Sequence, residues 1–213
     1  MFLDESGVNI DMARRYGRSI GKTRVIDHVP CNTPKKTTIV SSIRLSGKCA
    51  YRVLEGSMTG SRFKDYVEQV LVPTLCQEDI VVMDNLSCHK VAGIEQMISM
   101  VGARIIYLPP YSPDMNPIEK MWSKLKAFLR KWRIRTTGFL PGAIDKAIRK
   151  ITKDDCRGWF TCCGYSICEE TLILGNCSRL SKNAGEIKIE SFFTPTYSPN
   201  IYSRMKKPSP WEC

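Results

Sequence analysis

Two short apolar segments constrain the fold of this chain more than any other feature. "DIVVMDNL" (79–86) and "ARIIYLP" (103–109) are both dominated by consecutive apolar residues. Such runs are typical of strands that are buried on both faces and therefore need helices on each side of the sheet. Between them, "HKVAGIEQMISMVG" has helical spacing and ends at Gly102. This pattern predicts a layered α/β domain.

The flanking segments complete the predicted sheet. "MFLDESGVNI" predicts a short strand that runs into a turn, and "KTTIVSSIRL" and "CAYRVLEG" predict a hairpin around Ser46-Gly47. "TGSRFKDYVEQVLVPTL" is an amphipathic helix by its spacing. Further helices are predicted from Pro117 to about Trp132, around 140–151, and near 154–160. Three strands followed by alternating helices and strands predict a mixed five-stranded sheet with helices on both faces.

The chain divides by composition near residue 165. Residues 166–213 have no sustained hydrophobic period and hold 6 basic and 5 acidic residues. We therefore expect one domain at 1–165 and a weakly ordered extension at 166–213. Almost all of the formal charge of +11 belongs to the first part. That excess suggests a polyanionic partner, nucleic acid rather than membrane, although a solvated basic surface would have the same composition.

No apolar run approaches the roughly 20 residues of a membrane span, and the N-terminus does not resemble a signal peptide. A cytoplasmic location is the default expectation. The ten cysteines include no CxxC pair, and only His28 and His89 could assist them. Free thiols are expected, and the cysteine spacing does not favour a zinc site.

Three acidic residues stand at positions where function is expected. Asp4 follows "MFL" and Asp84 follows "IVVM". A charge directly after a buried strand is costly unless it faces a site, and ligands bind at the carboxyl ends of strands in open α/β sheets. Either Asp alone could equally begin a turn or cap a helix.

Glu119 is the third residue of the helix that begins within "PYSPDMNPIEKMW". With Asn116 as N-cap and Pro117 at the first helical position, the pattern predicts a capping box. A capping role does not exclude a shared ion at the helix start. Three converging carboxylates repel each other, and divalent cations with hard oxygen ligands relieve that repulsion. Two such ions support phosphodiester displacement, so the pattern favours metal-dependent phosphoryl transfer on nucleic acid.

Three blocks carry a family resemblance. "FLDESG", "VVMDNLSCHK" and "LPPYSPDMNPIEKMWSKLK" resemble the catalytic blocks of DDE transposases of the mariner superfamily, particularly its bacterial insertion-sequence branch. Thirty-four residues separate Asp84 from Glu119, which is the spacing of that family. The resemblance runs from Phe2 to about Tyr165 and includes "DDCRGWFTCCGY". It implies an RNase H-like, retroviral-integrase-type fold.

The resemblance also implies a catalytic set. Asp4, Asp84 and Glu119 would bind two Mg²⁺ or Mn²⁺ ions, with the two aspartates sharing both. The implied activity is nicking of transposon ends, followed by attack of the freed 3′-hydroxyl on target DNA. The expected partner is DNA and not membrane, a homodimer is a further expectation, and the location would be the bacterial nucleoid.

Supporting residues follow from the same blocks. Asn85 and His89 match the pattern after the second acid. His89 would either orient water or a phosphate, or bond the backbone at a helix start. Asn116 is expected to shape its loop.

The helix from Pro117 carries an apolar stripe, including Trp122, that is expected to pack in the core. Its basic residues either follow DNA phosphates or form a solvated face. The candidate DNA-binding residues are Arg14, Arg15, Arg18 and Lys22 on a loop, and Lys120, Lys124, Lys126, Arg130 and Lys131 on this helix.

Only three residues precede Asp4, whereas transposases of this family carry helix-turn-helix modules before that acid. We therefore expect a catalytic domain without specific end recognition and with a short first strand. Two alternatives remain open: an inactive remnant that binds nucleic acid through its basic face, and another RNase H-fold nuclease.

Overall fold

The computed structural model describes residues 1–21, 23–31 and 36–165. The expected extension at 166–213 and Lys22 lie outside the described residues. Five strands form one sheet in the order β3-β2-β1-β4-β5. Their bounds are Phe2–Val8 (β1), Thr37–Ile43 (β2), Cys49–Glu55 (β3), Ile80–Met83 (β4) and Arg104–Tyr107 (β5). The first three strands are antiparallel, and β4 and β5 run parallel to β1, which confirms the predicted mixed sheet.

Strand β1 is longer than predicted. It has seven residues, so Asp4 lies within the strand and not after it. Every residue from Phe2 to Val8 pairs with β2, and this antiparallel ladder carries the strand past the acid. The predictions of a short first strand and of Asp4 at a strand end were therefore wrong. Strand β4 does end directly before Asp84.

The helices are α1 (Gly60–Tyr66), α2 (Ile94–Met100), α3 (Pro117–Trp132), α4 (Leu140–Ile148) and α5 (Lys153–Cys162). Helix α1 continues through a π-helical turn at Val67–Leu71 and a 3₁₀ turn at Val72–Thr74. Helix α2 begins later than predicted because Gly93, at φ 93°, interrupts the segment. Residues Ser87–Lys90 form a separate 3₁₀ turn. No helix of the described residues is long and apolar enough to cross a membrane.

The sheet separates two hydrophobic cores. Helices α3, α4 and α5 cover the face that carries Phe2, whereas α1 and α2 cover the face that carries Leu3. Because side chains alternate along a strand, Asp4 belongs to the α3 side and Glu5 to the α1 side. Strand β5 was predicted to be buried on both faces, but it is an edge strand with half-buried side chains, because only β4 pairs with it.

Phe2 connects the sheet to the end of the described chain. Its ring is fully buried, 5.2 Å from Phe160 and 4.9 Å from Tyr165 between ring centroids. Phe2→Ala should lower the free energy of unfolding by about 3–5 kcal/mol, since it removes a packed aromatic ring and leaves a cavity. Urea denaturation measures this loss. Phe139→Ala, at a ring that is 72% exposed, is the matched control and should change stability by less than about 0.5 kcal/mol.

Candidate active site

Strand pairing brings Asp4 and Asp84 together. Strands β1 and β4 are parallel neighbours, and Leu3 pairs with Met83. The two aspartates are the next residues along these paired strands, and neighbouring strands lie about 4.8 Å apart. The ladder therefore places both acids at the same point of the sheet.

Trp122 brings helix α3 to the same point. Its indole Nε1–H donates to Asp4 Oδ2 over 3.2 Å, and both side chains are buried. Glu119 precedes Trp122 by three residues, which puts their Cβ atoms about 5–6 Å apart on one side of the helix. Glu119, the third acid, is exposed, and its charge acts on Asp4. The sequence predicted Trp122 as a core residue only, although its spacing from Glu119 was a signal of this second role.

The environment of Asp4 shows how closely the acids interact. Burial raises the pKa of Asp4 to about 7, and the negative charges of Glu5, Glu119 and Asp84 add to that rise, while the backbone N–H of Glu5 opposes it. Asp4, Asp84 and Glu119 are nevertheless spaced too widely for their carboxylates to lie within 4.8 Å of one another. Among the described residues, the group that meets this distance is Glu5, Cys88 and His89. Asp84 and Glu119 therefore lie near Asp4, and their roles as metal ligands stay a prediction.

His89 holds Asp84 from the other side of the sheet. Its Nδ1 lies 2.7 Å from Asp84 Oδ1, and its Nε2 lies 2.8 Å from Glu5 Oε2. Burial lowers the pKa of His89, but the hydrogen bonds to Asp84 and Glu5 outweigh that effect and raise it to about 10. In the metal-free protein, the protonated ring is placed to donate one hydrogen bond to each carboxylate.

The sequence left two roles open for His89. The ring is fully buried against Phe63, with 4.4 Å between ring centroids, so it does not face water or a phosphate. The ring also contacts the backbone, with 3.3 Å between Nδ1 and the carbonyl oxygen of Asp84. This distance is longer than the 2.7 Å from Nδ1 to Asp84 Oδ1.

Glu5 was not identified from the sequence. It stands next to Asp4 on β1 and therefore points to the opposite face, where it meets His89. The available signal was a second acid directly after Asp4 in a predicted strand, where a partly buried charge requires a partner.

The start of α3 differs from the prediction. Asn116 is the residue before the helix, but its side chain makes no capping hydrogen bond, so the predicted capping box with Glu119 is absent. Asn116 also ends the preceding 3₁₀ turn, where its ψ is 98°. Its side chain is buried, and Oδ1 finds no hydrogen-bond partner within the described part of the chain. The capping box of the described structure lies instead at α5, between Thr152 and Asp155. Asn85 is exposed beside Asp84.

The basic residues of α3 divide into two rows. At about 100° per residue, Lys126 and Arg130 lie within about 20° of Glu119 around the helix. Burial lowers the pKa of Lys126, Glu119 opposes this, and Arg130 and Arg15 lower it further. The three basic side chains therefore lie near Glu119 and place positive charge beside the acids. They are Lys126, Arg130 and Arg15.

The other row turns away from the acids. Lys120, Lys124 and Lys131 lie about 100–140° from Glu119 around the helix. Lys124 forms an ion pair with Asp155 of α5, so it serves the fold. Lys120 and Lys131 were predicted to contact DNA, and that role stays a prediction.

Arg135 anchors the loop between β1 and β2. Its guanidinium donates to the carbonyl oxygens of Ile10 (2.7 Å) and Met12 (3.0 Å). This anchor holds the start of the loop against the segment that follows α3. Arg14, Arg15 and Arg18 are exposed on that loop.

Asp4 should make stability depend on pH in metal-free buffer. Its folded pKa of about 7 exceeds the ordinary aspartate value of 3.8, so the folded state binds a proton that the unfolded state lacks between these two pH values. Stability should therefore fall as pH rises from about 4 to 7. Asp4→Asn should remove this loss and be more stable than wild type at pH 8, by roughly 2–4 kcal/mol.

Urea denaturation in EDTA at pH 5 and pH 8 measures this effect. Asp65→Asn, at an exposed acid of α1, is the matched control and should behave as wild type. Equal stability of Asp4→Asn and wild type at pH 8 would contradict the prediction.

Comparison with known proteins supports the fold. The chain is 15% identical to the protein in a crystal structure of a pre-cleavage Mos1 transpososome, over 76% of this chain and 54% of that chain, with a TM-score of 0.60. It is 14% identical to the catalytic domain of Mos1 mariner transposase, over 76% and 74% of the two chains, with a TM-score of 0.55. It is 15% identical to the protein in a Mos1 mariner paired-end complex with Mn, over 76% and 51%, also with a TM-score of 0.55.

These similarities show an RNase H-like fold, as the sequence predicted. The chain spans about half the length of the proteins in the two complexes. A search of curated proteins found no match. Residues 1–138, more than half of the chain, match the family model described as DDE superfamily endonuclease. The chain therefore belongs to the DDE superfamily endonuclease family.

Proposed function

We propose that this chain is the catalytic domain of a DDE transposase, which cleaves DNA at transposon ends and joins the freed ends to target DNA. The observation that supports the proposal is that Asp84 and Glu119 both lie near enough to Asp4 for their negative charges to raise its pKa. The β1–β4 register brings the two aspartates together, and the Trp122–Asp4 hydrogen bond brings Glu119. Family membership and the fold of the Mos1 structures support it.

The donor set fits a hard divalent cation. All three side chains offer carboxylate oxygens, which Mg²⁺ and Mn²⁺ prefer. Burial and negatively charged neighbours raise the pKa of Asp4. A bound cation would stabilise the charged carboxylate and so oppose that rise. One similar structure is a complex with Mn. We propose two ions, shared by Asp4 and Asp84, with Glu119 completing the site. Bound ions would activate the attacking oxygen and stabilise the leaving oxygen.

The protein's own contribution is orientation and charge. Trp122 holds Asp4 through Oδ2, and His89 holds Asp84 through Oδ1. Fixed carboxylates present their oxygens without further reorganisation, which favours metal binding. Lys126, Arg130 and Arg15 place positive charge beside the acids, where it would hold a DNA phosphate.

The proposed partners follow from the family and the similar structures. Those structures include a transpososome and a paired-end complex. We propose transposon-end DNA and target DNA as substrates, a homodimer as the active assembly, and the bacterial nucleoid as the location.

The proposal predicts metal-dependent nicking of supercoiled plasmid. With Mn²⁺, wild type should convert supercoiled DNA to open circles, and EDTA should prevent it. Asp84→Asn should abolish nicking because it removes a ligand charge while keeping a carbonyl oxygen for His89. Gel electrophoresis measures the conversion, and Asp65→Asn is the control that should retain activity.

Other outcomes identify the alternatives. Salt-sensitive DNA binding without nicking would favour the inactive remnant. Preferential cleavage of RNA–DNA hybrids over duplex DNA would favour a different RNase H-fold nuclease.

The charged row of α3 makes a separate prediction. Replacing both Lys126 and Arg130 by Ala should weaken binding to duplex DNA by about 10-fold or more, and lower the slope of log K against log salt by about 2, if each contacts one phosphate. Fluorescence anisotropy at several salt concentrations measures both quantities.

The control is Lys153→Ala. Lys153 is exposed near Gly47, at the end of the sheet away from Asp84. It should bind DNA as wild type does. An unchanged slope in the Lys126→Ala, Arg130→Ala variant would contradict the proposed phosphate contacts.

A further inference from the structure

A second group of potential metal ligands lies on the α1 side of the sheet. Glu5 comes from β1, while Cys88 and His89 come from the 3₁₀ turn after β4. One ligand atom from each lies within 4.8 Å of the others. Glu5 Oε2 is 2.8 Å from His89 Nε2, and Glu5 Oε1 is 3.7 Å from Cys88 Sγ.

These separations are close to those of a zinc site. Zn²⁺ binds nitrogen and oxygen at about 2.0–2.2 Å and sulfur at about 2.3 Å in tetrahedral geometry, so ligand atoms lie roughly 3.2–3.7 Å apart. Movements of about 1 Å or less at each donor atom would give Glu5, Cys88 and His89 the separations of three ligands in a tetrahedral zinc site. Three protein donors are the number found in zinc sites that keep a fourth position open.

The surroundings of His89 match a zinc ligand as well. Zinc-bound histidines usually donate their second ring N–H to a carboxylate, which fixes the tautomer and the ring orientation. Here His89 Nδ1 lies 2.7 Å from Asp84 Oδ1, while Nε2 faces Glu5. Phe63 packs against the ring and makes the site apolar on one side. Cys88 is half-buried, so the group remains within reach of solvent.

We propose that Glu5, Cys88 and His89 form a binding site for one thiophilic divalent cation, Zn²⁺ by its donor chemistry. Its nitrogen and sulfur donors select against Mg²⁺, whereas the all-oxygen set of Asp4, Asp84 and Glu119 selects for it. The two sites lie on opposite faces of β1 and meet at Asp84. Bound Zn²⁺ would replace the protons on His89 Nε2 and Cys88 Sγ and release them to solvent. It would join β1 to the end of β4 and hold Asp84 through His89. This site does not depend on the proposed nuclease activity.

Co²⁺ titration of the reduced, metal-free full chain tests the proposal. A thiolate ligand gives a sulfur-to-Co²⁺ charge-transfer band, and Zn²⁺ should displace it whereas excess Mg²⁺ should not. Cys88→Ser should lose one equivalent of this band relative to wild type. Cys76→Ser, at an exposed thiol, is the matched control and should retain it. Because the comparison is between variants, Co²⁺ bound by other cysteines does not affect the result.

Glu5→Gln is the second variant and keeps the thiol. It should bind Co²⁺ at least 10-fold more weakly by titration of the same band. An identical band and affinity in Cys88→Ser and wild type, or an unchanged affinity in Glu5→Gln, would overturn the site. Urea denaturation of each variant verifies that it is folded. Plasmid nicking plays no part in these readouts, so a failure of the nuclease proposal would leave them interpretable.

Discussion

The hydrogen bond from Trp122 to Asp4 is the contact on which the candidate active site depends. It is buried and joins the central strand to helix α3, whose rotation is set by the packing of its apolar side against the core. That rotation decides which side chains approach the acids. Glu119, Lys126 and Arg130 come to the site, whereas Lys124 turns to Asp155. The helix that this hydrogen bond joins to the sheet thus carries both the third proposed metal ligand and the proposed phosphate contacts.

The alternation of side chains along β1 divides the chemistry between two faces. Asp4 meets the indole of Trp122 on one side, and Glu5 meets the imidazole ring of His89 on the other. Asp84 lies at the end of the neighbouring strand and connects the two environments. Hard oxygen ligands gather on one side, and a carboxylate, a thiol and an imidazole on the other. Adjacent residues of one strand can therefore serve two cations of different chemistry.

Much of the fold could be predicted because its signals are local. Apolar runs indicated β4, the Ser46-Gly47 turn indicated the hairpin, and the stripe of Met121 and Leu125 indicated α3. The errors occurred where pairing or burial overrides local preference. Strand β1 continues past Asp4 because β2 supplies a full ladder. The side chain of Asn116 is buried and does not cap its helix, although its sequence position is favourable for capping.

The sequence by itself determined the identity and order of the acids, the apolar periods and the basic excess, because these depend on residue type and spacing alone. Tertiary structure decided which groups meet. Asp4, the partner of Trp122, is 118 residues away in the chain, and Glu5, one of the two partners of His89, is 84 residues away. No local pattern encodes such contacts. The β1–β4 register and the rotation of α3 arise from packing of the whole core. That packing places Glu5 beside Cys88 and His89 and Glu119 beside Asp4.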